Sequence, residues 1–382
     1  MTTGVAYIGC GYVADFYQCC LPNAGGALEV RGAFDVDDDR LSAFAKHHRL
    51  KAYATFEELL DDPSVSIVVN LTNPHAHYDV SKAALAAGKH VYSEKPLALD
   101  LDEARDLAAT ADAAGLHVVA APSSVLGEAA QTLWRAVREG AAGRPRLVYA
   151  EIDDGMVHRI GCENWRSVSG APWPAMDEFA VGCTLEHAGY AVSWLAAIFG
   201  PVRRVVTAAA LLFPEKGPST PAAYATPDFT SGCLEFDDGV IARITNSIVA
   251  PHDHALRIFG EKGELRVDEI WDFAAPVRFR PVLEKRWRRV VEKKLGISGV
   301  KRIPPVRKAD VASAPNGANM DFMRGLVEAA EAIEAGRAPR LSGGFALHIT
   351  EVALALQHPE WFGAEYRVTS GFEPMSPMPW AE

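Results

Sequence analysis

Apolar and polar positions alternate along the first third of the chain in two periods that take turns. Short apolar runs at Val5–Ile8, "LEVRGAFD" ending at Asp35, "VSIVVNLT", "HVYSEKP" and "LHVVAAP" read as strands. The stretches between them, "GCGYVADFYQCCLP", "DRLSAFAKHH", "TFEELLDDP", "HAHYDVSKAALAAGK" and "LDEARDLAATADAAG", carry helical spacing. Thr55 and Glu58 stand at capping-box spacing at the head of one of these helices. The third strand run is apolar throughout, as expected of a strand buried on both faces. Strand and helix alternating at short intervals predict a doubly wound parallel α/β sheet over residues 1–122.

After Pro122 the pattern changes. "GEAAQTLWRAVREGAAG" is an amphipathic helix and "RLVYAEID" a strand. A loop rich in Trp, Arg and Gly, 154–182, leads into the helical run "CTLEHAGYAVSWLAAIFG". Longer strands follow: "RRVVTAAALLF", "DFTSGCLEFDDGVIARITNSIVA", "HALRIFGEKGELRVD" and "PVRFRPV". "FDDGV" and "GEKGEL" mark hairpin turns. Residues 123–382 therefore predict an α+β domain with a large, mostly antiparallel open sheet. A helical region at about 319–335 and a second, "GGFALHITEVALALQH", close the chain. The last of these is expected to return to the first domain.

At 382 residues the chain exceeds what one core usually organises, which agrees with two domains. The net charge of −11 disfavours a phosphate-backbone partner, so nucleic-acid binding is not expected. The six cysteines form no CxxC pair and suit neither a disulfide scaffold nor zinc. No metal is expected, and reduced thiols fit a reducing compartment. The N-terminus shows no signal peptide and no apolar run reaches membrane-spanning length, so a cytoplasmic location is expected. One segment departs in charge: residues 284–308, "EKRWRRVVEKKLGISGVKRIPPVRK", are basic within an acidic chain. They read as an insertion, either a solvated loop or a clamp for an anionic partner.

Candidate chemistry sits where the strands end. Gly9-Cys10-Gly11-Tyr12-Val13-Ala14 is a GxGxxA turn between the first strand and a helix, the context a dinucleotide pyrophosphate requires. Gly9 permits the turn, Gly11 admits the phosphates and Ala14 lets the helix approach the sheet. Asp35, at the end of the second strand, suits the adenosine ribose hydroxyls and repels a 2′-phosphate, which favours NAD over NADP. Lys95 stands at the end of the fourth strand, where ligands of parallel sheets bind, with Pro96 fixing the backbone beside it. Partial burial predicts a lowered pKa for it.

With Gly9/Gly11/Ala14, Thr72-Asn73-Pro74-His75-Ala76-His77 and Glu94-Lys95-Pro96, the chain resembles the Gfo/Idh/MocA oxidoreductases. The proline and asparagine of the middle motif are exchanged relative to the family order. The resemblance continues through Trp165-Arg166 to Gly182–Tyr190, with Glu186 at the usual aspartate position and Tyr190 at the usual histidine position. It implies a cofactor site of Gly9, Gly11, Tyr12, Val13, Ala14, Asp35, Thr72, Asn73, Pro74, His77, Glu94, Lys95 and Pro96. It implies Lys95, Tyr190 and Glu186 as catalytic groups, the tyrosine as a phenolate stabilised by the lysine. Arg159, Trp165, Arg166, Trp173 and His187 are candidate substrate contacts, since indoles stack on sugar rings and guanidinium grips anions. For the four loop residues the alternative is that they merely order the loop. The implied function is NAD-dependent hydride transfer on a sugar, sugar derivative or cyclitol, by a homo-oligomer. A redox-neutral NAD-dependent glycoside hydrolase and a non-enzymatic dinucleotide-binding regulator are the alternatives.

Overall fold

Strands β1 (Thr3–Ile8), β2 (Leu28–Phe34), β3 (Ile67–Asn70), β4 (His90–Ser93) and β5 (Val118–Ala120) pair side by side in the order β2-β1-β3-β4-β5. Every pairing in this sheet is parallel. The computed structural model describes residues 2–217, 220, 224–284, 299–309, 311 and 319–382. β3 is buried at each position, which explains its unbroken apolar run. Helices α1 (Tyr12–Cys20), α2 (Asp38–His48), α3 (Phe56–Asp61), α4 (His77–Ala86) and α5 (Leu101–Ala114) connect the strands.

Local signals decide where these helices start. Thr55 Oγ1 accepts the Glu58 N–H at 3.1 Å, as the capping spacing predicts. Asp37 caps α2 by accepting from Arg40 N, and Asp38 and Asp39 follow in the first turn. Asp100 accepts from the N–H groups of Asp102 and Glu103 at the head of α5, and Gly115 ends that helix in the left-handed region at φ +66°.

The second sheet is larger. Among the described residues it has nine strands: β6 (Pro145–Asp153), β7 (Val202–Ala210), β8 (Phe229–Phe236), β9 (Ile241–Ser247), β10 (Leu256–Gly260), β11 (Gly263–Val267), β12 (Arg278–Pro281), β13 (Lys301–Arg302) and β14 (Glu365–Arg367). Their order is β13-β12-β11-β10-β6-β9-β8-β7-β14, antiparallel throughout except for the central β6–β9 pair. In β8 the side chains alternate between buried and more open, so the sheet keeps one face on the core.

Helices α6 (Glu128–Arg138), α7 (Ala175–Val181), α8 (Cys183–Phe199), α9 (Arg324–Glu334) and α10 (Gly343–Gln357), with a single turn at Pro359–Phe362, follow in the rest of the described chain. α10 lies against α5, α8 and β7, and so touches elements of both sheets. Its Gly343 sits so close to the first sheet that an added Cβ would stand 3.1 Å from Val118.

Two differences from the sequence reading have physical causes. Residues 154–182 are not all loop, because α7 forms inside them. It is seven residues long with no side-chain N-cap, too short for a periodic signal, and is held by burial of Phe179 and Val181. Of the basic stretch 284–308, residues 285–298 lie outside the described residues. Its far end adds the short strand β13 to the second sheet and stays largely exposed, with Arg307 3.7 Å over the Trp380 ring and 2.7 Å from Glu128.

Candidate active site

The GxGxxA turn is built as its residue types require. Gly9 has φ +91°, and a Cβ there would meet the Leu71 carbonyl oxygen at 2.6 Å. Only glycine allows β1 and β3 to end this close together. Gly11 is the N-cap of α1, has φ −75°, and would send a Cβ into open space. Ala14 is fully buried. Asp35 follows β2, where Oδ2 accepts the Cys10 N–H at 2.7 Å and Oδ1 accepts the Asp37 N–H at 2.9 Å. Arg40 lies beside it, with Nε 3.5 Å from Asp35 and a terminal nitrogen 3.1 Å from Asp37.

Two cavities of about 240 and 250 Å³ share Gly11, Arg40, Leu71, Thr72 and Asn73 in their walls. The first runs past Gly9, Asp35 and the 90% exposed Val36. The second continues past Tyr12, Val13, Pro74, His77 and Glu94 to Lys95 and Glu186. Together they fit an extended dinucleotide. The missing Cβ of Gly11 leaves room at the centre, where the N-terminal N–H groups of α1 would hold phosphates, and Val36 would offer apolar surface to a base.

The loops after β3 and β4 are tied together by His77. Its fully buried ring lies with Nδ1 2.6 Å from the Pro96 carbonyl oxygen and Nε2 3.1 Å from that of Thr72. Burial pulls its pKa below the usual histidine value. Thr72 Oγ1 donates to Asn70 at 2.7 Å, and Asn70 donates to the His77 carbonyl at 3.0 Å. Glu94 accepts from Tyr17 Oη at 2.7 Å and from the Lys95 N–H at 3.1 Å. The Lys95–Pro96 peptide is cis.

Lys95 Nζ pairs with the Glu186 carboxylate, contributed by α8. Here the structure corrects the sequence expectation of a lowered lysine pKa. Burial does act in that direction, but Glu186, then Glu178, outweigh it and hold the ammonium above its usual value. The expected tyrosinate is corrected in the same way. Burial raises the Tyr190 phenol above its ordinary value despite the nearby Lys95, whose charge is taken up by Glu186. The Tyr190 ring packs 4.8 Å from Trp271 and is 8% exposed.

The sequence reading missed Glu178. It projects from the unforeseen helix α7 into the same cavity, beside Glu186, and burial followed by the Glu186 charge pushes its carboxyl up to about 8. Asp177 and Phe322 are also in the wall.

Of the five candidate substrate contacts, the cavity wall includes Trp173, between Pro172 and Pro174. Trp165 packs against Trp173 at 5.1 Å, one ring further out. Arg166 is exposed and donates to the carbonyls of Glu163 and Trp165, ordering its own loop. Arg159 lies over Phe213 and lines a separate cavity with His158 and Tyr224. His187 turns away from Lys95, its Nδ1 2.9 Å from Asp154 Oδ2 but not aligned for a hydrogen bond. This loop also latches onto the first domain, since Ser169 donates through N and Oγ to Asp15 on α1, at 3.2 and 2.7 Å. Asp15 is further held by His48.

The group that holds His187 is a second unforeseen cluster. Fully enclosed His254 places Nε2 2.9 Å from Asp154 and Nδ1 3.0 Å from Glu269, whose other oxygen lies 2.9 Å from His252. Burial opposes its charge, but the two carboxylates push the imidazole up to about 9. Among the described residues Asp154, His252 and His254 form one grouping whose donor atoms lie within 4.8 Å of one another. Each of the three is already matched to an opposite charge.

Comparison with known proteins gives the family and the fold. Residues 3–121 match an oxidoreductase family with an NAD-binding Rossmann fold, and residues 130–266 match the Gfo/Idh/MocA C-terminal domain. The chain belongs to the Gfo/Idh/MocA oxidoreductases. It is 27% identical to mouse trans-1,2-dihydrobenzene-1,2-diol dehydrogenase over 254 residues, which cover 66% of this chain and 69% of that one. Its fold is that of an NAD-binding oxidoreductase from Klebsiella pneumoniae, with a TM-score of 0.76, 19% identity and coverage of 96% and 99% of the two chains. It is similarly that of the WlbA dehydrogenase from Bordetella pertussis, solved with NADH and UDP-GlcNAcA, with a TM-score of 0.72, 16% identity and coverage of 96% and 98%.

Proposed function

We propose that this protein is an NAD-dependent dehydrogenase or reductase acting on a secondary alcohol or ketone of a sugar, sugar derivative or cyclitol. The observation that carries the reading is the Lys95–Glu186 pair, set at the end of β4 in the cavity that continues from the Gly11 cradle. When bound, the nicotinamide supplies or accepts the hydride. The chain's own groups position the substrate and handle its oxygen. Lys95, fixed by Glu186, offers a charged N–H to the substrate oxygen, which stabilises developing alkoxide. Trp173 and its flanking prolines give the cavity an apolar wall on which a sugar ring can stack. Tyr190, a neutral phenol on the same helix face as Glu186, packs on Trp271 and is not among the residues of the cavity wall.

NAD is preferred over NADP on this reading. A 2′-phosphate would meet the Asp35 carboxylate, and the charge of Arg40 is already matched by Asp35 and Asp37. Ordinary glycoside hydrolysis is disfavoured, because Glu186 is committed to Lys95 and Glu178 crowds it, so the two do not form the separated carboxylate pair of glycosidases. The protein is further proposed to be a cytoplasmic homo-oligomer joined through the open sheet face. Among the described residues no helix is long and apolar enough to cross a membrane.

The test is a fluorescence titration with NADH and NADPH, followed by a panel of sugars, cyclitols and nucleotide sugars read by nicotinamide absorbance. Tighter binding of NADH, with turnover on a panel member, is the expected result. Binding without redox change on any of them would move the reading to the regulator or the redox-neutral hydrolase.

A further inference from the structure

The cavity wall holds acids that hydride transfer at Lys95 does not use, and Glu178 stands nearest the Lys95–Glu186 pair. Glu186 is 3% exposed, and one carboxylate oxygen is committed to Lys95. The other, Oε1, is buried with no donor facing it among the described residues. A buried carboxylate oxygen without a donor is costly. Glu178 lies in the same cavity wall, close enough to Glu186 for the two carboxyl groups to interact directly. Two carboxylates this near repel unless one of them is protonated, and a proton on Glu178 can supply the donor that Glu186 Oε1 lacks.

The chain folds to bring the two acids together. Gly182, at φ +100°, turns α7 sharply into α8, and a Cβ there would stand 2.5 Å from Gln357 Oε1. Gln357 of α10 is fully buried and clamps this corner, donating to the Val181 carbonyl at 2.7 Å and accepting the Leu185 N–H at 3.0 Å. The corner folds Glu178 back over a residue eight positions later. Glu186 is buried, whereas Glu178 is only half-buried and is nearer to solvent.

We propose that Glu178 holds a proton in the resting protein and exchanges it, through Glu186 and Lys95, with the substrate oxygen. The role rests on the dehydrogenase reading, while the resting proton does not. In the reducing direction the ketone carbon gains a hydride and its oxygen takes a proton from Lys95. Lys95 is refilled from Glu186, Glu186 from Glu178, and Glu178 from solvent. Oxidation runs the same transfers backwards, so one proton leaves to solvent for each alcohol oxidised. Glu178 acts through Glu186 and need not touch the substrate. The charged and titratable groups facing it are Glu186 on α8 and Lys95 and Glu94 after β4, with Asp177 on its own helix and His77 and Arg40 along the wall. The upward shift of its carboxyl agrees with a proton held at neutral pH.

The experiment is an infrared titration of the full chain without ligand, uniformly labelled with carbon-13 glutamate. The expected result is a protonated-carboxyl band at neutral pH that disappears in the alkaline range and is absent from Glu178→Gln. In Glu186→Gln, where the neighbouring charge is gone, the band should titrate more than one pH unit lower. A wild-type protein without a glutamic-acid band at pH 7, or a Glu178→Gln protein that keeps it in full, overturns the proposal. NADH titration of the same samples separates the two readings. Loss of NADH binding by the wild type sinks the dehydrogenase reading and with it the relay, while the infrared result still decides whether Glu178 carries the proton. With a substrate in hand, oxidation should rise along an alkaline limb that Glu178→Gln removes, and a limb unchanged in that variant contradicts the relay.

Discussion

Two buried clusters in this protein are made from the same kinds of groups and do opposite things. At Asp154–His254–Glu269 a cation lies between two carboxylates, and each of its nitrogens has a partner. At Lys95–Glu186–Glu178 a cation meets one carboxylate, a second acid crowds the first, and the group opens onto a cavity. The first arrangement pairs both nitrogens of its cation and serves stability, although Asp154 Oδ2 also lacks an aligned donor. The second leaves an orphaned oxygen and an ammonium at the end of a parallel strand, where a ligand can reach it. Titratable groups alone therefore do not mark a site, whereas titratable groups with unmatched valence facing a cavity do.

The contrast breaks most sharply at Lys95. Lys95→Ala should lower turnover by about 10²–10⁴-fold, the usual share of a positioned proton-transfer group. NADH affinity should stay within a few-fold, as checked by steady-state rates and fluorescence titration on the same preparation. His254→Gln should do the reverse. It leaves Asp154 and Glu269 facing each other without their cation, and urea unfolding should show a loss of about 3–5 kcal/mol, with NADH binding unchanged.

The same cluster gives stability a pH dependence of known sign. The folded pKa of His254, about 9, lies above its ordinary 6.5. Its contribution is therefore full below about pH 6.5 and is lost as pH rises through about 9. Urea midpoints of the wild type should fall over that window, and those of His254→Gln should not.

Smaller effects sharpen the cofactor side. Asp35→Asn removes the charge opposing a 2′-phosphate, and the NADH-to-NADPH affinity ratio should drop by about tenfold, a difference of about 1.4 kcal/mol. Ser169→Ala cuts the side-chain part of the latch between the tryptophan loop and Asp15. NADH binding should weaken by about 0.5–1.5 kcal/mol, the value of one hydrogen bond.

The first sheet was legible because its signals are local. Glycines at fixed offsets, a carboxylate at a strand end and Thr55 at a cap each act within a few residues. Lys95 and Glu186 could be named because short motifs carry them. Glu178 could not, since what makes it part of the site is the Gly182 corner clamped by Gln357, which is 179 residues further along the chain than Glu178 and belongs to another helix. Nor could His254, whose partners come from the end of β6 and the segment after β11. The pKa direction of Lys95 was misread for the same reason: burial is visible in a pattern, but the counter-charge that reverses its effect arrives from a distant helix.

The most direct test of the central claim, that the Gly11 cradle and the Lys95 cavity together hold a nicotinamide dinucleotide, needs no substrate. Gly11 has an ordinary φ and open space where a Cβ would go, so Gly11→Val should fold normally and fill the place of the pyrophosphate. NADH titration of wild type and Gly11→Val, with circular dichroism as the folding control, is predicted to show saturable binding for the first and at least a hundredfold loss, about 2.7 kcal/mol, for the second. Equal binding by a well-folded Gly11→Val would contradict the account.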